Sequence, residues 1–365
     1  MFKSATTLIR DVGNNKNNMR YLLIILPFIC SFQSFSQLIG QEIKINNELK
    51  QIKPTLFADL GETCSTPDGM AIDSAGNLFL AVTNLANFEE YGSKILTFDE
   101  NEKPTTWFDQ LPLHPITKKV HPMGIEFGQD GNLYIADNQN FAGQLNQSRI
   151  LRVIVKNGKP IRAEVIVEGL GFSNGIRLYE NHLYITDFMF EDRKESGIYS
   201  FNLEDFHNKK IIMDDQAREK HLIGTFPVGI DGIALDKTGN LYAGHFYSGT
   251  ITKFEFTNER VVKSRNIVLQ SDSFNCADGM YYDKTRNSIF LANLNNNSIH
   301  QLDLNTKTLN LIWINDNNDG STGLLDNPCE TIIYKGTLIV VNFDTFKGPK
   351  NLEVDKYNTI SQFKI

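Results

Sequence analysis

One short unit recurs six times along this chain, and the recurrence limits the possible folds more than any other feature. "PDGMAIDSAGNLFLAVTN" begins at Pro67, "PMGIEFGQDGNLYIADNQ" at Pro122 and "SNGIRLYENHLYITDF" at Ser173. "IDGIALDKTGNLYAGHF" follows from Ile230, "ADGMYYDKTRNSIFLANL" from Ala277 and "CETIIYKGTLIVVNFD" from Cys329. Equivalent positions fall at residues 68, 123, 174, 231, 278 and 330. A period of about fifty residues is that of a propeller blade.

Each unit reads as two short apolar strands joined by a tight turn. The turns are "SAGN", "QDGN" and "KTGN", whose Asp, Gly and Asn suit turn dihedrals. A further pair of strands follows in most units, as in "KILTFDE" at 94–100, "RILRVIV" at 149–155 and "TITKFEF" at 250–256. The expected architecture is all-β: a six-bladed propeller of four-stranded blades over residues 51–365. One blade cannot bury both its faces, so the array must close on itself. The last strand, "NTISQFKI", is expected to close it by pairing near "IKPTLFAD". The segment from Leu203 to Phe226 is longer and more charged than the other connections and reads as a surface excursion.

Ahead of the repeats, "MRYLLIILPFICSFQSFSQ" at 19–37 has one Arg, an apolar stretch from Tyr21 to Cys30 and small residues at Ser34 and Ser36. This is the pattern of a cleaved export signal, and the apolar run is far short of the ~20 residues needed to span a bilayer. Residues 1–36 are thus expected to be a signal with an upstream extension, with Met19 as an alternative start, and 37–50 a linker. Pro27 and Ile29 beside Cys30 argue against lipidation. Export to the periplasm or medium permits a disulfide, and Cys64, Cys276 and Cys329 allow at most one within the chain.

A net charge of -7 and the lack of a Lys/Arg cluster exclude nucleic acid as a partner. No phosphate-cradling glycine loop and no "GxSxG" elbow occurs. The chemistry gathers elsewhere. The start of each first strand and the end of each second strand meet on one face of a propeller. The first set holds Asp68, Met123, Asn174, Asp231, Asp278 and Glu330; the second holds Asn84, Asp137, Asn138, Asp187, His245, Asn293, Asn342 and Asp344. Asp73, Asp236 and Asp283, at the far end beside the turns, read as structural. Four carboxylates at one mouth repel one another: at about 6 Å and an effective dielectric near 20, each pair costs roughly 3 kcal/mol. Protonation, Arg or Lys pairing, or a cation must compensate, and the repeats supply only Arg177 and Arg286. Oxygen donors without clustered His or Cys favour a hard ion, Ca²⁺ over Zn²⁺. The metal candidates are Glu330, Asn174, Asp231, Asp278 and Asp68. The loop "DNNDGSTG" at 316–323 resembles the start of a helix-loop-helix calcium loop, but its twelfth position is Asn327 where a Glu belongs, so it reads as a plain loop.

With these residues in view, the chain resembles the gluconolactonase and regucalcin family of six-bladed propellers from about residue 55 to its end. "SNGIRL" around Asn174 and "IDGIALD" around Asp231 match family segments that supply an Asn and an Asp ligand. The resemblance implies a divalent cation at one end of the channel and a Glu ligand that, counted around the closed ring, falls on Glu330. A further family Asn is replaced by "HPMG", leaving Asp137 or Asn138 to supply an oxygen, or an altered site. It also implies metal-assisted hydrolysis of a lactone or similar small ester, with Asp231, His121 or His245 relaying a proton. A propeller that only binds a small molecule, glycan or peptide around a structural Ca²⁺ is the alternative.

Overall fold

The computed structural model describes residues 44–46, 52–190, 194–207, 209–355 and 357–365. The expected signal at 1–36 lies outside the described residues. Six antiparallel sheets follow one another along the chain. Blade one comprises Pro67–Ile72, Leu78–Val82, Lys94–Phe98 and Pro104–Phe108. Blade two comprises Pro122–Phe127, Leu133–Asp137, Ser148–Lys156 and Lys159–Leu170. Blade three is Ser173–Tyr179, His182–Asp187, Glu195–Asn202 and Leu222–Pro227; blade four is Ile230–Leu235, Leu241–His245, Ile251–Phe256 and Val262–Leu269. Blade five runs through Met280–Asp283, Ser288–Asn293, Ser298–Asp303 and Thr308–Ile314.

Blade six is built from both ends of the propeller. Pro328–Tyr334, Thr337–Asn342 and Thr359–Phe363 are completed by Thr55–Asp59, which pairs antiparallel with Thr359–Phe363 in the register Thr55↔Gln362 and Asp59↔Thr359. The ring closes where the repeats require it. Within the expected linker, Lys44–Asn46 is a strand, added in parallel to the outer edge of blade five.

Each blade is apolar on both faces, which is why single blades cannot stand alone. Phe79, Ile95, Ile125, Ile135 and Leu151 fill the seam between blades one and two; Phe290, Ile299, Leu338, Val340 and Phe363 fill that between five and six. The turns take the conformation their residues favour. Gly76, Gly131 and Gly239 sit at φ of 85°, 77° and 77°, where a Cβ is costly. Asp73 and Asp236 each accept backbone N–H bonds from two turn residues, so both are structural, as their position suggests.

The recurring glycine has a second reason. A Cβ on Gly69 would lie 2.5 Å from Met123 O, on Gly124 2.6 Å from Asn174 O, on Gly175 2.7 Å from Asp231 O and on Gly232 2.0 Å from Asp278 O. Neighbouring inner strands approach backbone to backbone here, and only glycine fits. Blade six carries buried Thr331 at this place, whose hydroxyl donates to Phe290 O.

The charged excursion forms a short 3-10 turn at Leu203–Phe206, a strand at Ile211–Ile212 on the outer edge of blade two, and helix Asp215–His221. Arg218 ties it to Tyr199 and Gly169 O. It therefore braces the outer flank. Among the described residues no helix is long and apolar enough to cross a membrane.

Candidate functional site

The residue before each glycine stands at a break in the strand ladder. In blades one to four the register slips between Pro67 and Met70, Pro122 and Ile125, Ser173 and Ile176, and Ile230 and Ile233. Such bulges re-aim side chains. Asp68, Asp231, Asp278 and Glu330 are all buried, at 4–8% exposure, and each of the three Asp feels an acidic neighbour in the ring. Burial, then Glu330, pushes Asp68 up to about 8. Burial, then Asp68 and Glu330, pushes Asp231 well above the carboxylate range against an opposing bond from Asn174. Burial, then Asp231, Asp68 and Glu330, does the same to Asp278. Drawn from blades one, four, five and six, these groups share one electrostatic environment.

The tightest contact in the ring is Asn174 Nδ2 donating to Asp231 Oδ1 at 2.5 Å. With its nitrogen so engaged, Asn174 has its amide oxygen to offer a cation. Glu330 is less available. Arg177 Nη2 lies 3.1 Å from Glu330 Oε2, and Thr331 N–H donates to Glu330 Oε1. The same guanidinium reaches Glu126 at 3.7 Å and donates to Met280 O. Burial raises Glu126 to about 7, with Arg177 opposing. Of the compensations available to a ring of carboxylates, Arg pairing thus serves Glu330 and Glu126. Arg286 is spent elsewhere, on Asp283. Among the described residues no Lys, Arg or His nitrogen lies within 4.0 Å of Asp68, Asp231 or Asp278. No three of the four ring acids bring ligand oxygens within 4.8 Å of one another, so the ring is a loose constellation around the Asn174–Asp231 pair.

The strand-two ends do a different job from the one expected. Asp137 is held by Arg149 at 2.6 Å in a fully buried pair, by His121 N–H and by Gln139. Asn138 Oδ1 accepts from Asn140 and Phe141 N–H, while its nitrogen donates to Ser173 O. Neither replaces the missing amide ligand of blade two. Asp187 caps Gly171 and Phe172, and Asn342 caps Asp326 while bonding Thr359 and Ser361. These residues tether loops because a buried backbone N–H must find an acceptor.

The two candidate histidines separate. His121 is 2% exposed, with Nδ1 3.0 Å from Asn138 O and its ring edge-on to Phe88 and Phe141, so it is built into the loop scaffold. His245 has both ring nitrogens sealed from solvent without a well-formed hydrogen bond, and burial lowers its pKa against weak backbone contacts at Pro227 and Val228. It packs 6.3 Å from Tyr247, whose hydroxyl feels Asp231.

Sequence reasoning missed Glu126, Tyr281 and an aromatic rim. Glu126, Arg177 and Tyr281 all lie three residues past the ring position, and Tyr281 feels the charge of both others. That common offset was the available signal. The rim runs Phe141 to Phe172 at 5.4 Å, Phe172 to Phe188 at 4.9 Å and Phe188 to Tyr247 at 5.7 Å, with Phe346 beside Phe141 at 6.4 Å. Phe172 and Phe188 directly flank a strand-one start and a strand-two end, and Phe141 and Tyr247 lie in the loops that follow strand-two ends, so the rings stand on the mouth side. Cys64, Cys276 and Cys329 are buried free thiols, and no pair of them is bridged.

No protein-family profile and no curated protein matches the chain. Solved structures do. A calcium-binding regucalcin from Agrobacterium tumefaciens superposes with a TM-score of 0.58 at 11% identity, covering 88% of this chain and 95% of that one. A gluconolactonase from Xanthomonas campestris gives 0.55 at 10% identity over 90% and 99% of the two chains. A luciferin-regenerating enzyme gives 0.57 at 13% over 85% and 95%. What this chain shares with them is the six-bladed propeller. At such identities the likeness establishes the fold, and site chemistry has to be argued from the residues themselves.

Proposed function

We propose that the chain is an exported, divalent-cation-dependent hydrolase of a lactone or related small ester. The observation that carries the reading is the set of buried acids at the mouth, Asp68, Asp231 and Asp278, with no cationic side chain against them among the described residues and with Asn174 bonded to Asp231. This donor set fits a hard ion: oxygen atoms only, high negative charge, low exposure. Asn174, Asp231, Asp68 and Asp278 would hold it, and Glu330 would join by loosening its bond to Arg177. A cation bound there supplies polarisation of an ester carbonyl and acidification of water.

The chain's own groups account for the rest. Asp231, ionised once a cation offsets its burial and its acidic neighbours, would take a proton from the attacking water and return it to the leaving alkoxide. His245, kept neutral by burial, is the second candidate for that relay. Phe141, Phe172, Phe188 and Tyr247 form a chain of neighbouring rings, with the Tyr247 hydroxyl near enough to feel Asp231, and would suit the apolar body of a ring ester. The regucalcin and gluconolactonase likenesses support the substrate class, and the apolar stretch Tyr21 to Cys30 supports export. Glu330 engaged by Arg177, and Met123 where an amide ligand is expected, favour the second reading, a propeller that binds its ligand without turnover.

The test is a panel of lactones and aryl esters assayed with the purified protein, with and without chelator, beside Asp231→Asn and Asn174→Ala. The proposal expects hydrolysis that is lost in chelator, restored by Ca²⁺ or another divalent ion, and reduced at least a hundredfold by Asp231→Asn. Cation binding with no turnover across the panel would leave the binding reading in its place.

A further inference from the structure

A second group of acids, which takes in Asp344 from the strand-two ends, lies between two loops of blade six. Asp326 ends the loop that enters the blade; Asp344 and Asp355 lie on the segment joining Thr337–Asn342 to Thr359–Phe363. One carboxylate oxygen from each lies within 4.8 Å of the other two, and among the described residues no other set of three His, Cys, Asp or Glu groups is so compact. Asp326 is 1% exposed, yet neither of its carboxylate oxygens has a hydrogen-bond partner. Both of those atoms are sealed beside two further acids. Leaving a buried carboxylate wholly unpartnered is costly, and native structures pair such groups or give them an ion.

No Lys, Arg or His nitrogen comes within 4.0 Å of Asp326, Asp344 or Asp355 among the described residues, and nearby Lys350 is paired with Asp316. Asp344 accepts only from Asn351 Nδ2 and the Asp355 N–H, each at 3.2 Å, and Asp355 accepts from Tyr357 N–H. The Asn351 amide oxygen, also buried, is a further acceptor without a donor. Burial, then Asp344, Asp355 and Asp319, raises Asp326 to about 8. The loop read from sequence as an incomplete calcium loop is the one that delivers Asp326, and its acidic complement comes from a different part of the chain.

We propose that Asp326, Asp344 and Asp355 form a second hard-cation site, of the Ca²⁺ class, that clamps the 343–355 segment to the 315–327 loop. Three carboxylates carry enough negative charge for a divalent ion, and ligands drawn from two loops suit the flexible coordination of Ca²⁺ better than the strict octahedron of Mg²⁺. The clamped segment leads directly into Thr359–Phe363, the strand that pairs with Thr55–Asp59 and closes the ring. Binding here would therefore hold the closing strand in place. This site is independent of the catalytic reading of the mouth.

The experiment uses the full chain stripped with chelator and titrated with Ca²⁺ by equilibrium dialysis, beside Asp326→Asn/Asp344→Asn and Asp231→Asn. The wild type should bind one more ion than the double variant, and Asp231→Asn should keep the Asp326 site. Equal stoichiometry in wild type and double variant overturns the proposal. Should the double variant not fold, the partly exposed Asp355→Asn is used with limited trypsinolysis at Lys347 and Lys350, which lie in the clamped segment. Ca²⁺ should slow cleavage there at least tenfold in the wild type and much less in Asp355→Asn. Cleavage of the wild type at a rate unchanged by Ca²⁺ overturns the proposal.

Discussion

Arg177→Met removes the one guanidinium that lies between Glu330 and Glu126 in the channel, and its consequence can be worked out from their burial. The Arg177 side chain is 11% exposed and that of Glu330 8%, so solvent cannot replace the lost partner. The stranded carboxyl will take up a proton instead of remaining charged. Holding a Glu neutral at pH 7, when it ionises near 4.3 in the unfolded chain, costs about 3.7 kcal/mol at 1.36 kcal/mol per unit. Glu126 already sits at about 7 in the wild type, so most of its penalty is present beforehand; burial already raises Glu330 too, despite Arg177, so the new loss falls on Glu330 and is at most this figure. The expected destabilisation is thus up to about 4 kcal/mol at pH 7, comparable with the range of about 3–5 kcal/mol for breaking a buried pair. At pH 5 the same reasoning gives about 1 kcal/mol. Urea unfolding of wild type and variant at the two pH values measures both figures. Adding Glu330→Gln to Arg177→Met should recover most of the loss at pH 7. A destabilisation that does not change with pH, or that the second substitution fails to relieve, would refute the assignment of Arg177 as counter-charge to the channel acids.

Two further outcomes follow from the same geometry. Gly232→Ala places a methyl 2.0 Å from Asp278 O, a backbone atom that cannot swing aside, so blades four and five must part; the expected cost is about 3 kcal/mol or more, read from the unfolding midpoint. In chelator, wild-type stability should fall as pH rises from about 4 to about 8. Asp68 at about 8, Glu126 at about 7 and Asp187 at about 6 are all raised above their unfolded values. The folded chain therefore keeps protons that the unfolded chain has released, and the stabilisation present below the unfolded pKa is lost through the folded ones. Saturating Ca²⁺ should flatten this slope, and thermal melts across the pH series with and without the ion check both statements.

Periodicity made the fold legible. Six phased copies of a strand-turn-strand unit, with turn residues in place and apolar runs on both faces, leave stacked blades as the one arrangement that buries every face, and the closing strand follows from that need. The site was legible only where a side chain occupies a repeat position. Asn174 and Asp231 were found because they precede a phased glycine, and that glycine is now explained by the approach of the next blade's backbone. Glu126 and Tyr281 occupy a repeat position too, three residues on, but Ala71, Ala234 and Ile333 at the matching places hide the pattern. Asp137, Asn138, Asp187 and Asn342 resembled ligands because their spacing is that of the mouth, whereas their oxygens go to buried N–H groups that a sequence does not display. The Asp326, Asp344 and Asp355 cluster joins residues from two loops with no shared period, so only the folded chain reveals it.

Anomalous diffraction from crystals of the full chain grown with Ca²⁺ tests the central claim most directly. The account predicts a peak at the channel mouth, coordinated by Asp231 and the Asn174 amide oxygen together with Asp68 or Asp278. A mouth without a peak at saturating Ca²⁺, its acids held by protons and by Arg177 alone, would contradict it.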